Sequence, residues 1–232
     1  GLNVCDMNIL DYKSRIKEFS RYNRVFNKVV KLATRLYALG GVKITKSSLI
    51  TLNIYNLGKG NVFVTGKNCM VEKLRLEFRG NNNMVILGDN VSMKNDCRIM
   101  ITGNNCTIEI GDNTSFTHHC QLEAQEEATH IIIGEDCMFS NNVLIRTNDS
   151  HYIYDLETGK RVNMPRDVHI GNHVWLAAFA TIMKGVTIGE GCIVGYRSIV
   201  TNDLPSSCVA VGTPAKVVKE NVEWTREPKL IY

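Results

Sequence analysis

From Ile170 onward the chain reads in sixes: IGNHVW, LAAFAT, IMKGVT, IGEGCI, VGYRSI, VTNDLP. The first place of each hexad holds Ile170, Leu176, Ile182, Ile188, Val194 and Val200. The fifth place holds Val174, Ala180, Val186, Cys192, Ser198 and Leu204, mostly small or medium in size. A helix requires a period near 3.6 and a half-buried strand a period of 2, so neither accounts for six. A stacked coil does. Each hexad is a short strand plus a corner, and three hexads close one triangular turn. The first-place aliphatic then points inward and lies on its counterpart 18 residues later. Parallel hydrogen bonding joins successive coils at ~4.8 Å.

The upstream half repeats with a different period. Leu87-Gly88-Asp89, Ile110-Gly111-Asp112 and Ile133-Gly134-Glu135 are spaced by 23 residues. Gly80-Asn81-Asn82 and Gly103-Asn104-Asn105 share that spacing. So do the columns Cys97, Cys120, Val143 and Val91, Thr114, Cys137. The simplest reading is an 18-residue coil with five extra residues at one corner. The asparagines suit turns that need positive φ. Residues 44–77 look β-like but irregular.

The register breaks at 147–166, TNDSHYIYDLETGKRVNMPR, an excursion between the two kinds of repeat. Long departures from a regular solenoid often carry function. Residues 8–39 instead show apolar side chains at helical spacing, from Ile9, Tyr12 and Ile16 to Ala33 and Leu36. Residues 11–35 carry eight basic and two acidic side chains, a net of +6, against +4 for the whole chain. Gly40-Gly41 ends this arm. A solvated face explains the charge, but so would contact with a membrane surface or an anionic glycan. The predicted organisation is an arm over 1–41, a β-helix over 42–219 and a tail over 220–232.

Composition narrows the class. No apolar run approaches the ~20 residues that span a bilayer. The first residues lack the charged-then-apolar order of a secretory leader, so the expected compartment is the cytoplasm, including the inner membrane face. The eight cysteines occur singly, without a C-x-x-C pair. They read as free thiols acting as small apolar fillers. Cys97 and Cys120 should stack on adjacent coils. Nothing points to nucleic acid.

The hexads, followed by VAVGTPAKVVKE, resemble the hexapeptide-repeat acetyltransferases. The resemblance implies a left-handed β-helix, a homotrimer and acetyl-CoA as donor. More narrowly, NDSHYIYDLETGKRVN, DVHIGNHVWL and VGTPAKVVKENVEW resemble capsular polysaccharide O-acetyltransferases of the polysialic acid type. In that group a loop histidine and a tryptophan 24 residues later mark the active site; here these are His151 and Trp175. The expected reaction is O-acetylation of a sugar hydroxyl, with an acidic polysaccharide favoured. Imidazole is a side chain suited to removing the hydroxyl proton. Asp149 or a backbone carbonyl would orient the ring. A main-chain N–H near Trp175 would meet the developing oxyanion.

On the coenzyme side the resemblance implies that the pantetheine arm lies along Ala177 and Ala178, with Tyr196, Ser198 and Thr201 nearby. Pro214 turns the chain, and Lys216 and Lys219 face the phosphates. Tyr196 departs from the small residue common at its position. Trp224 either stacks on adenine or packs the tail down. No metal is expected: related β-helix carbonic anhydrases use histidines five apart, and His118, His119, His130, His169 and His173 contain no such pair. His169 and His173 are expected at corners, and Glu126 and Glu127 in solvent. N-acetylation of an amino sugar or sugar nucleotide is the alternative chemistry. A non-catalytic scaffold is the alternative class, although it needs neither the excursion nor the basic tail.

Overall fold

The computed structural model describes residues 42–43 and 48–229. The helical arm expected over 1–41 lies outside the described residues. The described chain is a parallel β-solenoid with three faces and contains no helix. Face 1 is a seven-stranded sheet running from Val42–Lys43 through Val62–Thr65 to Thr187–Ile188. Face 2 carries Ser92–Met93, Ser115–Phe116, Met138–Phe139, Trp175–Leu176 and Ile193–Val194. Face 3 carries Arg98–Ile101, Gln121–Ala124, Leu144–Arg146, Thr181–Ile182 and Ile199–Val200. The long strand Met70–Phe78 bends across the corner between faces 2 and 3.

The hexads behave as their period demands. Ile170 pairs with Ile188, Leu176 with Val194 and Ile182 with Val200, and each of these six is at most 3% exposed. Strand residues alternate inward and outward, and the upstream core is completed by Phe63, Phe116 and Phe139.

The 23-residue period holds, and its five extra residues fall at one corner, as the spacing predicts. In register, Arg98 to Glu109 is eleven residues where Thr181 to Thr187 is six, while Glu109 to Ser115 and Thr187 to Ile193 are both six. The passage from face 3 to face 1 takes up the whole difference, partly by replacing two-residue strands with four-residue ones. A longer strand forms more ladder bonds, so the added residues are absorbed without an unpaired bulge.

Corner chemistry explains the upstream motifs. Asp112 Oδ1 accepts the Asp89 N–H at 2.7 Å, and Asn172 Oδ1 accepts that of Glu135 at 3.0 Å. A Cβ on Gly134 would sit 2.7 Å from the Asn172 backbone nitrogen, so the close stacking of coils requires glycine there. Asn82 and Asn105 have φ of 55° and 58°, as the GNN turns predict.

All seven described cysteines are free and buried. They are more than fillers. Six of them place Sγ close to a carbonyl of the next coil, as in Cys106 to Glu126 at 2.9 Å and Cys120 to Ser140 at 3.0 Å. The Thr114 hydroxyl and Asn83 amide make the same bond in their columns. The requirement at these positions is a small donor that satisfies a buried carbonyl. Burial pushes the Cys137 thiol up to about 11 and the Cys192 thiol up to about 12.

Candidate active site

The excursion leaves face 3 after Arg146 and rejoins the solenoid at face 1, so that coil spans 37 residues (Ile131 pairs with Val168). Its neck is closed by Arg166 N–H donating to Thr147 O at 2.9 Å, at the limits read from the sequence. Thr147 is buried, and its hydroxyl accepts the Gln125 N–H.

Three side chains fix the loop above that neck. Arg161 donates two hydrogen bonds to Glu126, at 2.6 and 2.7 Å, while its guanidinium lies 4.5 Å from the Tyr152 ring centroid. Arg161 and then Asn148 hold the Glu126 carboxyl below its usual range despite burial. Glu126 therefore anchors the excursion, which corrects the expectation of a solvated residue. Glu127 bonds Asn104 and Asn105 in the neighbouring turns. Asn163, 7% exposed, is the hub. Its Oδ1 accepts the Ile153 N–H at 2.8 Å, and its Nδ2 donates to His151 O at 2.7 Å and Asp149 Oδ2 at 3.0 Å.

The His151 carbonyl and the Ile153 N–H are thus both held by Asn163, while the His151 ring is exposed. Among the described residues the imidazole has no hydrogen-bond partner. Asp149 does not orient it here. The Asp149 carboxylate is occupied by Lys184, at 2.5 Å, and by Asn163. Burial raises this acid, but Lys184 and Asn163 more than offset that, leaving it below the usual range. Asp149 acts as an anchor of the loop base.

Trp175 opens a face 2 strand, so it stands by the corner between faces 1 and 2. His151 stands at the corner between faces 3 and 1. Within one chain a strand of face 1 lies between Trp175 and the corner where Glu126 and Lys184 anchor the His151 loop. The main-chain N–H groups of Trp175 and Ala177 are committed to the ladder, donating to Cys192 O and Val194 O at 2.9 Å. The Trp175 indole Nε1 is buried and has no hydrogen-bond partner among the described residues. Leaving such a donor unpaired costs about 1–3 kcal/mol.

The sequence matches the bacterial transferase hexapeptide (six repeats) model over residues 167–202. It is 36% identical over 210 residues to a polysialic acid O-acetyltransferase of Neisseria meningitidis, covering 84% of this chain and 92% of that protein. The chain belongs to the hexapeptide-repeat O-acetyltransferases. A second polysialic acid O-acetyltransferase, from Escherichia coli O1:K1, is 38% identical over 90 residues, 39% of this chain and 29% of that protein. The crystal structure of the polysialic acid-specific acetyltransferase NeuO superposes with a TM-score of 0.61 at 33% identity, covering 80% of this chain and 92% of that one. That of the polysialic acid O-acetyltransferase OatWY superposes at 0.64 and 31%, covering 82% and 92%.

The residues expected on the coenzyme side of this O-acetyltransferase divide between two corners. Ala177, Ala178, Tyr196 and the Thr213-Pro214 turn meet at the corner between faces 2 and 3. Arg197 lies over both the Phe179 and Tyr196 rings there, at 5.4 and 5.3 Å; neither Phe179 nor Arg197 stands out in the sequence. Ser198 is buried, and its hydroxyl accepts the Gly212 N–H at 3.0 Å, so it ties down the terminal hairpin. Thr201 lies past face 3, at the excursion's corner, away from the other four. Lys216 and Lys219 are exposed on the antiparallel hairpin Cys208–Gly212 with Ala215–Glu220. Residues three apart on a regular strand point to opposite sides. A bulge between Val209 and Ala210 shifts the register, so Lys216 sits opposite Val211 and Lys219 opposite Val209, on one side. Neither lysine has an ion-pair partner among the described residues.

Trp224 packs the tail. It is 5% exposed, stacks on His173 at 4.0 Å and donates Nε1–H to His173 O at 2.8 Å. His173 is at a corner, with φ of 53°, but His169 lies within the strand Val168–Ile170. The described residues contain no cluster of three or more potential metal ligands and no helix able to cross a membrane.

Proposed function

We propose that this protein transfers an acetyl group from acetyl-CoA to a hydroxyl of an acidic capsular polysaccharide of the polysialic acid kind, with His151 as general base. The observation that carries this reading is the construction of the excursion. Its polar side chains at Asp149, Arg161 and Asn163 are spent on holding it, while the His151 ring is presented without a partner. The acceptor class comes from the relatives, whose names specify polysialic acid.

His151 would take the proton from the attacking hydroxyl as its oxygen bonds to the acetyl carbon. The carbonyl oxygen gains negative charge, which a fixed N–H donor near Trp175 would meet. As the carbon–sulfur bond breaks, the protonated His151 returns its proton to the leaving sulfur and is again neutral. Because one chain separates His151 from Trp175, the reading includes a homotrimer of left-handed β-helices, with His151 of one chain facing Trp175 of the next. Handedness is taken from the family. Ring closure by heterologous contacts suits two different corners of one prism.

Acetyl-CoA fits the available chemistry. Ala177 and Ala178 leave room along the coil edge, and Lys216 and Lys219 offer two unpaired cations on one side of the hairpin for phosphate. Replacing both lysines with alanine should raise KM for acetyl-CoA and leave kcat near its original value, because phosphate binding is remote from the reacting atoms. Steady-state kinetics with acetyl-CoA and with a truncated thioester check this: the effect should vanish with the truncated donor. The activity itself is tested by incubating polysialic acid with acetyl-CoA and enzyme and following acetyl esters by mass spectrometry. An amino sugar acetylated in preference to any hydroxyl acceptor would overturn the reading.

A further inference from the structure

The outer side of face 3 carries a charge arrangement that acetyl transfer does not use. The Glu77 side chain is 0% exposed although it points outward from its strand. Three guanidiniums cover it: Arg75 at 2.5 Å, Arg98 at 3.1 Å and Arg79 at 3.2 Å. Burial pushes this acid up, but Arg98, Arg79 and Arg75 together hold it below its usual range, so it is ionised. One carboxylate therefore retains three cations, a local excess of two. A guanidinium has five donors and a carboxylate only about four acceptor sites, so most donors remain for something else. The Arg75 and Arg79 side chains are 60% and 50% exposed. Arg79 also lies 5.8 Å from the Tyr55 ring centroid.

Two surface clefts open on this cluster. Tyr55, Arg75 and Arg79 help line one, and Lys73, Arg98 and His119 help line the other. Glu77 is in register with Met100, Met100 with Glu123, and Glu123 with Arg146. The motif recurs there: Arg146 bonds Glu123 at 2.7 Å. Arg146 also donates to Ser150 Oγ at 3.2 Å, one residue before His151, and its buried Nε has no partner among the described residues. A stepped line of guanidiniums therefore climbs face 3 from Arg75 and Arg79 through Arg98 to Arg146 and the base of the excursion. With coils ~4.8 Å apart, Arg98 lies one coil above Arg75 and Arg146 two coils above Arg98, the coil between them carrying Gln121 and Glu123.

We propose that this line is a docking track for the distal carboxylates of the polymer acceptor, holding an anionic glycan segment while another unit of the same chain reaches His151. The proposal rests on the reading of the acceptor as an acidic glycan. A structural ion pair needs one arginine per carboxylate; the surplus here is fixed in place by Glu77, so little freedom is lost when the forks accept further carboxylates. Asp96 and Glu123 interrupt the track, which suits carboxylates spaced along a sugar chain better than a continuous phosphate backbone.

The test combines Arg75→Gln with Arg79→Gln, leaving Arg98 on Glu77. Labelled polysialic acid of long and short chain length is titrated against wild type and variant, and turnover is measured with both. The long chain should bind on the order of tenfold more weakly to the variant, the scale of one lost charge-assisted hydrogen bond. Turnover of the short acceptor should be unchanged. If the double variant melts early, Arg75→Lys with Arg79→Lys retains charge without the fork, and weaker long-chain binding is still expected. Unchanged long-chain affinity in a folded variant would overturn the track even where acetylation proceeds. Polymer bound by wild type, weakened in the variant and never acetylated would sustain the track and reject the proposed reaction.

Discussion

Replacing His151 with alanine should lower kcat by about 10²–10⁴, the usual contribution of a positioned general base. The fold should not change, because the ring makes no bond in the described chain and the backbone is held by Asn163 through the His151 carbonyl. Coenzyme A should protect the variant in a thermal melt as it protects the wild type, since the hairpin lysines and the alanine corner are untouched. A kcat within a few-fold of wild type would remove His151 from the mechanism. An equally large loss of coenzyme protection would assign the residue to binding.

The second large effect is expected at Asn163, which touches no substrate in this account. Its side chain bonds the His151 carbonyl, the Ile153 N–H and the Asp149 carboxylate together. Asn163→Ala removes these three bonds at the base of the loop that carries His151, and with them the bond that Asn163 Oδ1 accepts from Arg161 Nε at 3.2 Å. Displacing a catalytic group by about 1 Å can cost on the order of 10²-fold, and a loss of that order in kcat/KM is expected. Asn163→Asp keeps the oxygen that accepts from Ile153 but loses the donor to His151 and sets a second carboxylate beside Asp149. It should therefore be nearly as impaired. Both variants should keep the melting behaviour of the solenoid, because the coils close beneath the neck at Thr147 and Arg166. Full activity in Asn163→Ala would mean that the loop is positioned by something else.

The solenoid was legible because its physics is one-dimensional. Six inward aliphatics at period six leave one geometry, and the 23-residue columns announce the upstream coils before any contact is known. The excursion was legible at both ends for the same reason: regularity makes its interruption visible. What the repeat could not supply was the pairing of side chains brought together from distant segments. Glu126 looked solvated because its partner, Arg161, lies 35 residues away on a loop with no period. Asp149 beside His151 in sequence suggested an orienting acid, yet Lys184, on a later coil, claims it. Ser198 looked like a ligand contact by position, but a hairpin amide has prior use for its hydroxyl, and of the two roles open to Trp224 the packing of the tail on His173 is the one present. Glu77 passed unnoticed because an outward residue in a strand reads as exposed. Only the folded surface shows three arginines closing over it.

In the proposed trimer the reacting groups come from two chains, since one chain holds His151 and Trp175 at different corners. Subunit mixing tests this directly. His151→Ala and Trp175→Ala are each expected to be nearly inactive as pure assemblies. Coexpressed in equal amounts as mixed trimers, they should regain roughly a quarter of wild-type activity, because that share of interfaces pairs an intact His151 with an intact neighbouring Trp175. Light scattering on the same sample confirms the trimer. Mixed trimers with no more activity than the separate variants would place the whole site within one chain and contradict the account.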